Sequence, residues 1–369
     1  MYPLIILISF VASACCGFIF IPRIMHYCQQ HKIYDIPNHR TIHKNNIPRM
    51  GGISFLPSML LAFFIGMSVM AYTSDHQRAT ISLWSCMFLI SLLLIYFMGI
   101  VDDLIGLDAK IKFFGQMLAS LLMPLAGLYL NNFYGLFGLM EIPSVVGIPL
   151  TILAIVFICN AINLIDGIDG LSSSLCFLSL GGFLWLFASD GLYVYSIMIA
   201  GLMGTLVPFA YYNVFGRVED NRKIFMGDSG SLTLGFILGF LFVKYSMNNP
   251  LVAQYRPDAL VQSASLLIVP CFDVVRVTIV RRIHHRPLFD ADKNHIHHKL
   301  LRAGLTGHQT LFTVLALAVF FFLMNIFLNC CFPATLILFV DIIVFCIFHL
   351  VLNHFIHLTD RKPFEIIEL

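Results

Sequence analysis

Charge is scarce in this sequence. Only 11% of its 369 residues are Asp, Glu, Lys or Arg, where a soluble domain carries about a quarter. Hydrophobic residues make up 59% and mean hydropathy is +0.87. A water-soluble fold of this length cannot hide that much apolar surface. An ordinary cytosolic enzyme, a secreted disulfide scaffold and a disordered chain are therefore excluded. The low charge and long apolar runs also exclude a dedicated nucleic-acid binder. No CxxC pair with metal spacing is present. The ten Cys lie mostly inside apolar runs, Cys15-Cys16 and Cys330-Cys331 among them, and read as small buried hydrophobes. The first apolar run has no basic region ahead of it and no small-residue cleavage site, so it reads as a retained span. With no soluble domain, long repeat or low-complexity linker, residues 1–369 are expected to form a single integral-membrane domain.

What is abundant is apolar runs near 20 residues, the length that crosses a bilayer core. They fall near 3–22, 52–72, 81–101, 113–130, 145–160, 172–189, 192–212, 230–247, 259–281, 309–329 and 332–353. The runs are continuously apolar, which excludes a closed barrel. The expected fold is an all-α polytopic membrane protein of about eleven transmembrane helices. Lys and Arg mark cytoplasmic connections. Eighteen of them lie in the alternate connections 23–51, 102–112, 161–171, 213–229, 282–308 (with the bordering Arg281) and the tail, against three in the opposite set. This places the N-terminus outside, the C-terminus in the cytoplasm, and the polar motifs on the cytoplasmic face.

Three motifs concentrate acids. Gly99-Ile-Val-Asp102-Asp103, followed by Lys110 and Lys112, puts two carboxylates at a helix C-terminus, where the macrodipole disfavours negative charge. A cation or proton must compensate, and a hard cation such as Mg²⁺ suits such oxygens while leaving room for phosphate. Asn160, Asn163, Asp166 and Asp169 recur every three residues and would form one polar stripe if helical. Amides and carboxylates in that pattern can read ribose or sugar hydroxyls and hold a metal through water. Phe225-Met-Gly-Asp228-Ser-Gly-Ser opens the eighth run. Free N–H groups at a helix N-terminus attract anions there, and Phe225 offers a flat face for a base.

Two motifs are basic. Arg281-Arg282 to Arg286, then Asp292-Lys-Asn-His295-Ile-His297-His298-Lys, makes an electropositive loop. Without Cys and with cationic neighbours it reads as a phosphate-binding loop rather than zinc. Arg40-Thr-Ile-His43-Lys44 leads to Pro48-Arg49-Met-Gly51-Gly52, where glycines allow close backbone approach. Within the runs, Asp273 and Arg276 read as a pair on one face, and intramembrane ionisable groups are functional candidates. Asp341 reads as an interhelical hydrogen-bonder or a protonated acid, with no role assigned to it.

Together the motifs PRMGG (48–52), GIVDD (99–103), NAINLIDGIDGL (160–171), FMGDSGS (225–231) and NHIHHKLL (294–301) resemble the polyprenyl-phosphate N-acetylhexosamine-1-phosphate transferases, glycosyltransferase family 4. The likeness covers roughly residues 35–305. It implies transfer of a sugar-1-phosphate from a UDP-N-acetylhexosamine, foremost UDP-GlcNAc, to undecaprenyl phosphate at the cytoplasmic face. It further implies release of UMP, a need for Mg²⁺ (or Mn²⁺ in its place), the bacterial inner membrane, and a role in starting a cell-surface polysaccharide. A homodimer is compatible with the fold class.

The resemblance implies roles by position. Asp102 or Asp103 would deprotonate or orient the lipid phosphate or help hold Mg²⁺, and Asp228 would bind Mg²⁺, with Asp103 and Asp166 as further ligands. Phe225 would stack on uracil, with Asn160, Asn163, Asp166 and Asp169 around the nucleoside. Lys112, or Lys110 in its place, would contact the diphosphate. His295, His297, His298, Arg282, Arg49 and His43 complete the diphosphate and sugar contacts. The peptidoglycan (MraY-type) branch usually has a basic residue close behind DD, a TPTMGG-like loop and a continuous His run. This chain reads Leu104 to Asp108 before Lys110, then PRMGG and HIHH, which points to the WecA/TagO-type branch. A polytopic transporter of a nucleotide sugar or organic anion is the alternative. It would place its site near the midplane in broken helices, and here the acids gather at span ends.

Overall fold

The computed structural model describes residues 1–35, 47–73, 82–250, 252–285, 287 and 294–359. The chain begins with α1 (Tyr2–Gln30), followed by two short paired antiparallel strands, β1 (Tyr34–Asp35) and β2 (Ile47–Pro48). Helices α2 (Phe55–Thr73), α3 (Leu83–Ile105), α4 (Ala109–Leu125), α5 (Ser144–Ile165), α6 (Leu171–Ser189), α7 (Tyr193–Val214) and α8 (Gly227–Ser246) follow. The rest is α9 (Ala259–Ser265), α10 (Ile268–Ile283), the short α11 (Ile296–Arg302), α12 (Gly307–Asn329) and α13 (Ala334–Thr359). Among the described residues the regular structure is helical apart from the β1–β2 pair and a single antiparallel bridge between Asn132 and Glu141.

Among the described residues, nine helices are long and apolar enough to cross a membrane, and α9 with α10 makes a tenth if that bent pair is one span. The protein is a multi-pass membrane protein. Its outward faces carry large apolar side chains such as Leu4, Phe64, Phe97 and Phe312, as lipid contact requires. The run at 113–130 appears as α4, which has only 17 residues. Asp108 caps its first turn through Lys110 N, and Pro124 and Gly127 (φ +85°) end it.

The run at 259–281 is broken, and α9 and α10 meet at 76°. The cause is Pro270, which has no N–H to give the Leu266 carbonyl and whose ring would crowd it. That freed carbonyl instead accepts a 2.7 Å hydrogen bond from Ser179 Oγ.

α8 is the axis of the molecule, with 94% of its central residues buried. It packs against α3, α5, α6 and α9. Among its large side chains, two glycines one turn apart let α5 come close. A Cβ on Gly235 would stand 2.7 Å from Cys159 Cα on α5, and one on Gly239 would stand 3.1 Å from Ile155 Cα. Without a hydrophobic effect between helices in lipid, such close backbone packing is what holds a bundle together. Around this axis the core includes Phe183, Phe187, Phe236 and Leu241, all buried.

Candidate active site

One end of the bundle gathers the C-terminal ends of α3, α5 and α7 and the N-terminal ends of α4, α8 and α12. They surround a cleft of about 1420 Å³. Every connection that meets there belongs to the basic set defined from the sequence.

Glycine packing brings the distant motifs together. Phe225 N donates to Pro48 O (2.7 Å), and Gly51 N and Gly52 N donate to Phe225 O (2.9 Å) and Met226 O (2.8 Å). The PRMGG segment is thus stitched to the FMGDSGS segment by main chain alone. A Cβ on Gly52 would collide with the backbone of Gly230, and one on Gly99 would lie 2.5 Å from Ser229 Cα. Gly227 adopts φ +72°, open to glycine at little cost, and a side chain there would strike the Arg49 carbonyl. The glycines of three motifs therefore touch a single turn, the start of α8.

The acids meet at that turn. Asp103 is 3% exposed, and its two carboxylate oxygens accept from Asp228 N (2.8 Å) and Ser229 N (3.0 Å). It caps the positive end of α8. Its neighbour Asp102 accepts from Leu107 N and, at 2.9 Å, from Lys112 Nζ. The same ammonium donates to Asp228 Oδ2 at 2.8 Å. Asn163 Nδ2 donates to the other Asp228 oxygen (2.9 Å) and to Ser231 Oγ (2.8 Å). Arg49 donates to the Asp103 carbonyl. Four segments are knotted at Asp228: α3, α4, α5 and the start of α8.

The remaining expected residues divide. Asn160, Asn163, Asp166 and Asp169 do not form one stripe. The helix stops at Ile165, because Gly167 and the left-handed Gly170 (φ +75°) turn the chain into α6. Asp166 and Asp169 line the cleft from this turn, and Asp169 pairs with Lys223 at 2.6 Å. Asn160 points elsewhere, bonding Gln116 on α4 and the Val156 carbonyl, and is not among the residues lining the cleft. Of the two candidate lysines, Lys112 is at the cleft and Lys110 is exposed outside it. Two residues apart on a helix, they point about 200° apart.

His298 lines the cleft, while His295 and His297 stand behind it, buried. Arg282 is exposed at the end of α10, away from the cleft. His43, with Arg40 and Lys44, lies outside the described residues, as do Arg286 and Asp292. Phe225 and Arg49 line the cleft. Asp273 and Arg276 are paired at 2.7 Å, and Asn325 donates to Asp341 between α12 and α13.

Four polar residues that sequence reasoning passed over also line the cleft: Asp35, Asn213, Lys223 and His308. Asn213 is the most structural of them. It accepts from Gly170 N (2.6 Å) and donates to Ile224 O (2.8 Å), clamping the start of α6 to the segment before Phe225. Its only sequence signal is a lone amide at the end of an apolar run.

The cleft is acidic overall. Asp35, Asp102, Asp103, Asp166, Asp169 and Asp228 face three cations, Arg49, Lys112 and Lys223. Asp166 opens to the cleft but is walled in by protein. That enclosure, and then the charges of Asp228, Asp169 and Asp103, push its pKa up to about 7. An excess of carboxylate oxygens of this kind fits a hard divalent cation. Among the described residues no three His, Cys, Asp or Glu form a ready-made metal cage. Mg²⁺ does not need one, since it usually takes one or two carboxylates and completes its shell with water and phosphate.

Carboxylates and ammonium groups gathered at helix ends around a polar cleft mark a polytopic membrane enzyme rather than a scaffold. Comparison with known proteins agrees. Residues 85–246, which hold Asp102, Lys112, Asn163, Asp166 and Asp228, match Glycosyl transferase family 4. The chain is 30% identical over 288 residues to the undecaprenyl-phosphate alpha-N-acetylglucosaminyl 1-phosphate transferase of Yersinia pestis, covering 78% of this chain and 74% of that protein. It is 31% identical over 327 residues to the probable undecaprenyl-phosphate N-acetylglucosaminyl 1-phosphate transferase of Bacillus subtilis, covering 86% and 83%. The Escherichia coli K12 protein of the first name is 28% identical over 291 residues. The chain belongs to glycosyl transferase family 4, in the branch of these phospho-sugar transferases.

Proposed function

We propose that this protein transfers N-acetylhexosamine-1-phosphate from a UDP-sugar, UDP-N-acetylglucosamine, to undecaprenyl phosphate, giving undecaprenyl-diphosphate-sugar and UMP. The reaction would take place at the cytoplasmic face of a bacterial inner membrane and start a cell-surface polysaccharide. The observation that carries this reading is the Lys112 ammonium held between Asp102 and Asp228. It sets one cation among carboxylates on the wall of a cleft whose volume, about 1420 Å³, has room for a nucleotide sugar. The names of the relatives support the transferred sugar phosphate and the acceptor, the family supports a UDP-sugar as donor, and the basic connections support the cytoplasmic side.

In chemical terms, an oxygen of the lipid phosphate attacks the sugar-bearing phosphorus of the donor. The bond from that phosphorus to the bridging oxygen breaks, and its electron pair leaves with UMP. Phosphoryl transfer depends mostly on positioning and charge neutralisation. Asp228 and Asp166 would hold Mg²⁺, which when bound neutralises the diphosphate. Lys112 would leave the acids for the diphosphate as substrate enters. Asp102, at the cleft edge, would orient the acceptor, while Asp103 fixes the α8 N-terminus. Phe225 would stack on uracil.

The test is UMP release by purified protein in detergent with undecaprenyl phosphate, Mg²⁺ and a panel of UDP-sugars. Release that needs lipid, needs metal and selects one sugar is the expected result. Folded protein that releases no UMP with any donor, yet moves nucleotide sugar across vesicles, would establish the transporter instead.

A further inference from the structure

The pair of buried Asp273 and half-buried Arg276 does not line the cleft, yet it is not an isolated pair. Asp273 is fully buried and accepts from Arg276 Nη2 (2.7 Å), His295 Nδ1 (2.9 Å) and, with both oxygens, Ile296 N (3.1 Å). Arg276 Nη2 also donates to the Asn294 carbonyl. Three consecutive residues, 294–296, are therefore tied to α10 by one ion pair.

Those residues open α11, which is only seven residues long. A helix that short does not hold itself in water, so its placement comes from its anchors. One anchor is Ile296 and Leu300, buried in the second apolar cluster. The other is Asp273. Between them, α11 is wedged against the turn that carries Asp166 and Asp169. The ring of buried His297 lies directly on Gly167, where a Cβ would collide with it, and it stacks parallel to His295 at 6.0 Å. The next residue, His298, faces the cleft.

We propose that Asp273 is a positioning residue of the donor site. It fixes the start of α11 on α10, and so sets His298 and the Asp166–Asp169 turn relative to each other. Burying a carboxylate, with its guanidinium partner partly withdrawn from solvent, is costly. The arrangement has a purpose when the pair holds a binding element in place and not merely two turns of its own helix. This rests on the function proposed above.

The experiment compares Asp273→Ala and Asp273→Asn with the parent in detergent, by steady-state kinetics against each substrate and by amide hydrogen exchange over 294–300. The expected result for Asp273→Ala is a loss of about 10²-fold in kcat/KM for the UDP-sugar, the scale of an ångström-level misplacement. It should appear as a raised donor KM with the lipid KM unchanged, and exchange should rise over 294–300 alone. Asp273→Asn keeps a carbonyl for Ile296 N and should recover most of the donor KM. Where the Ala variant does not fold, the Asn variant carries the test, through a smaller rise in donor KM and in local exchange. A purely structural role would lower the active fraction and leave both KM values unchanged, and that result would overturn the proposal. Unchanged exchange over 294–300 in a folded variant would overturn it too. A parent that releases no UMP overturns the proposed reaction alone, because the exchange measurement still reads the latch.

Discussion

Two buried carboxylates, Asp102 and Asp341, look alike by position. Each sits in an apolar helix, 6% and 4% exposed. Their surroundings differ. Asp341 meets a single amide, Asn325 Nδ2 at 3.1 Å, from the neighbouring helix. Asp102 shares a lysine with Asp228, which in turn meets Asn163, and beside them Asp103 caps α8. The first arrangement is an interhelical hydrogen bond. The second draws four chain segments to one point on a cleft wall. An acid in an apolar helix is therefore not in itself a site, and convergence of independent segments with a cation is the better sign.

The largest test of that contrast is Asp228→Asn. It keeps the side-chain shape and one acceptor oxygen but loses the charge and the second acceptor facing Lys112 or Asn163, and should cut kcat by at least about 10²-fold, as loss of one key electrostatic group does. Membrane insertion and thermal stability should stay near the parent's. If the Asn variant turns over at the parent rate, the knot at Asp228 is packing and the contrast with Asp341 collapses.

A second expectation concerns the glycines that make convergence possible. Gly52→Ala places a methyl on the Gly230 backbone, where neither side can retreat along a flexible side chain. Overpacking of this sort costs about 1–3 kcal/mol, visible as a lowered melting temperature. Gly304→Ala is the control: its left-handed φ of +92° is strained for alanine, but open space surrounds it. Gly52 has no left-handed φ, so its cost comes from the contact alone, and a loss no larger than that at Gly304 would mean that the close approach of α8 matters little.

Legibility in the sequence follows the same divide. The apolar runs foretold the helices well, because a 20-residue apolar stretch has few other fates. The break between α9 and α10 was hidden by continuous hydropathy, although Pro270 was there to be read. Asp102, Asp103 and Asp228 were legible as acids crowded at the ends of runs. The choice between Lys110 and Lys112 was not, since it depends on helical phase. The stripe from Asn160 to Asp169 was misread by counting threes past the helix end at Ile165 and through Gly167. Asn213 and Lys223 were missed because their work is to join segments far apart in sequence, and a lone amide or lysine carries no mark of its distant partner.

A smaller effect separates the two sides of the histidine motif. His297 is 1% exposed and neither ring nitrogen has a hydrogen-bond partner. Burial, and then the neighbouring His298 and His295, hold its pKa down to about 3. A histidine kept neutral in the fold but free to charge when unfolded favours the fold above its ordinary value of about 6.5. That advantage is lost as pH falls from there towards 3. His297→Leu should remove this part of the acid sensitivity and leave the melting temperature at pH 8 unchanged or higher. If parent and variant lose stability in parallel across that range, His297 is not buried neutral, and α11 is not wedged on Gly167 as described.

The smallest effect belongs to Asp341→Asn. The new amide still offers an oxygen to Asn325 Nδ2, so one hydrogen bond between α12 and α13 survives. Interhelical hydrogen bonds in membrane proteins contribute about 0.6 kcal/mol on average, and only part of that is at stake. Turnover and donor KM should match the parent, and the melting temperature should shift by no more than a degree or two. The apolar groove beside Asp341, lined by Phe157, Phe242 and Phe272, gives this test its force. A marked loss of turnover here would mean that Asp341 communicates with the chemistry through that groove. A carboxylate with one amide partner would then count as functional, and convergence would no longer distinguish the two regions.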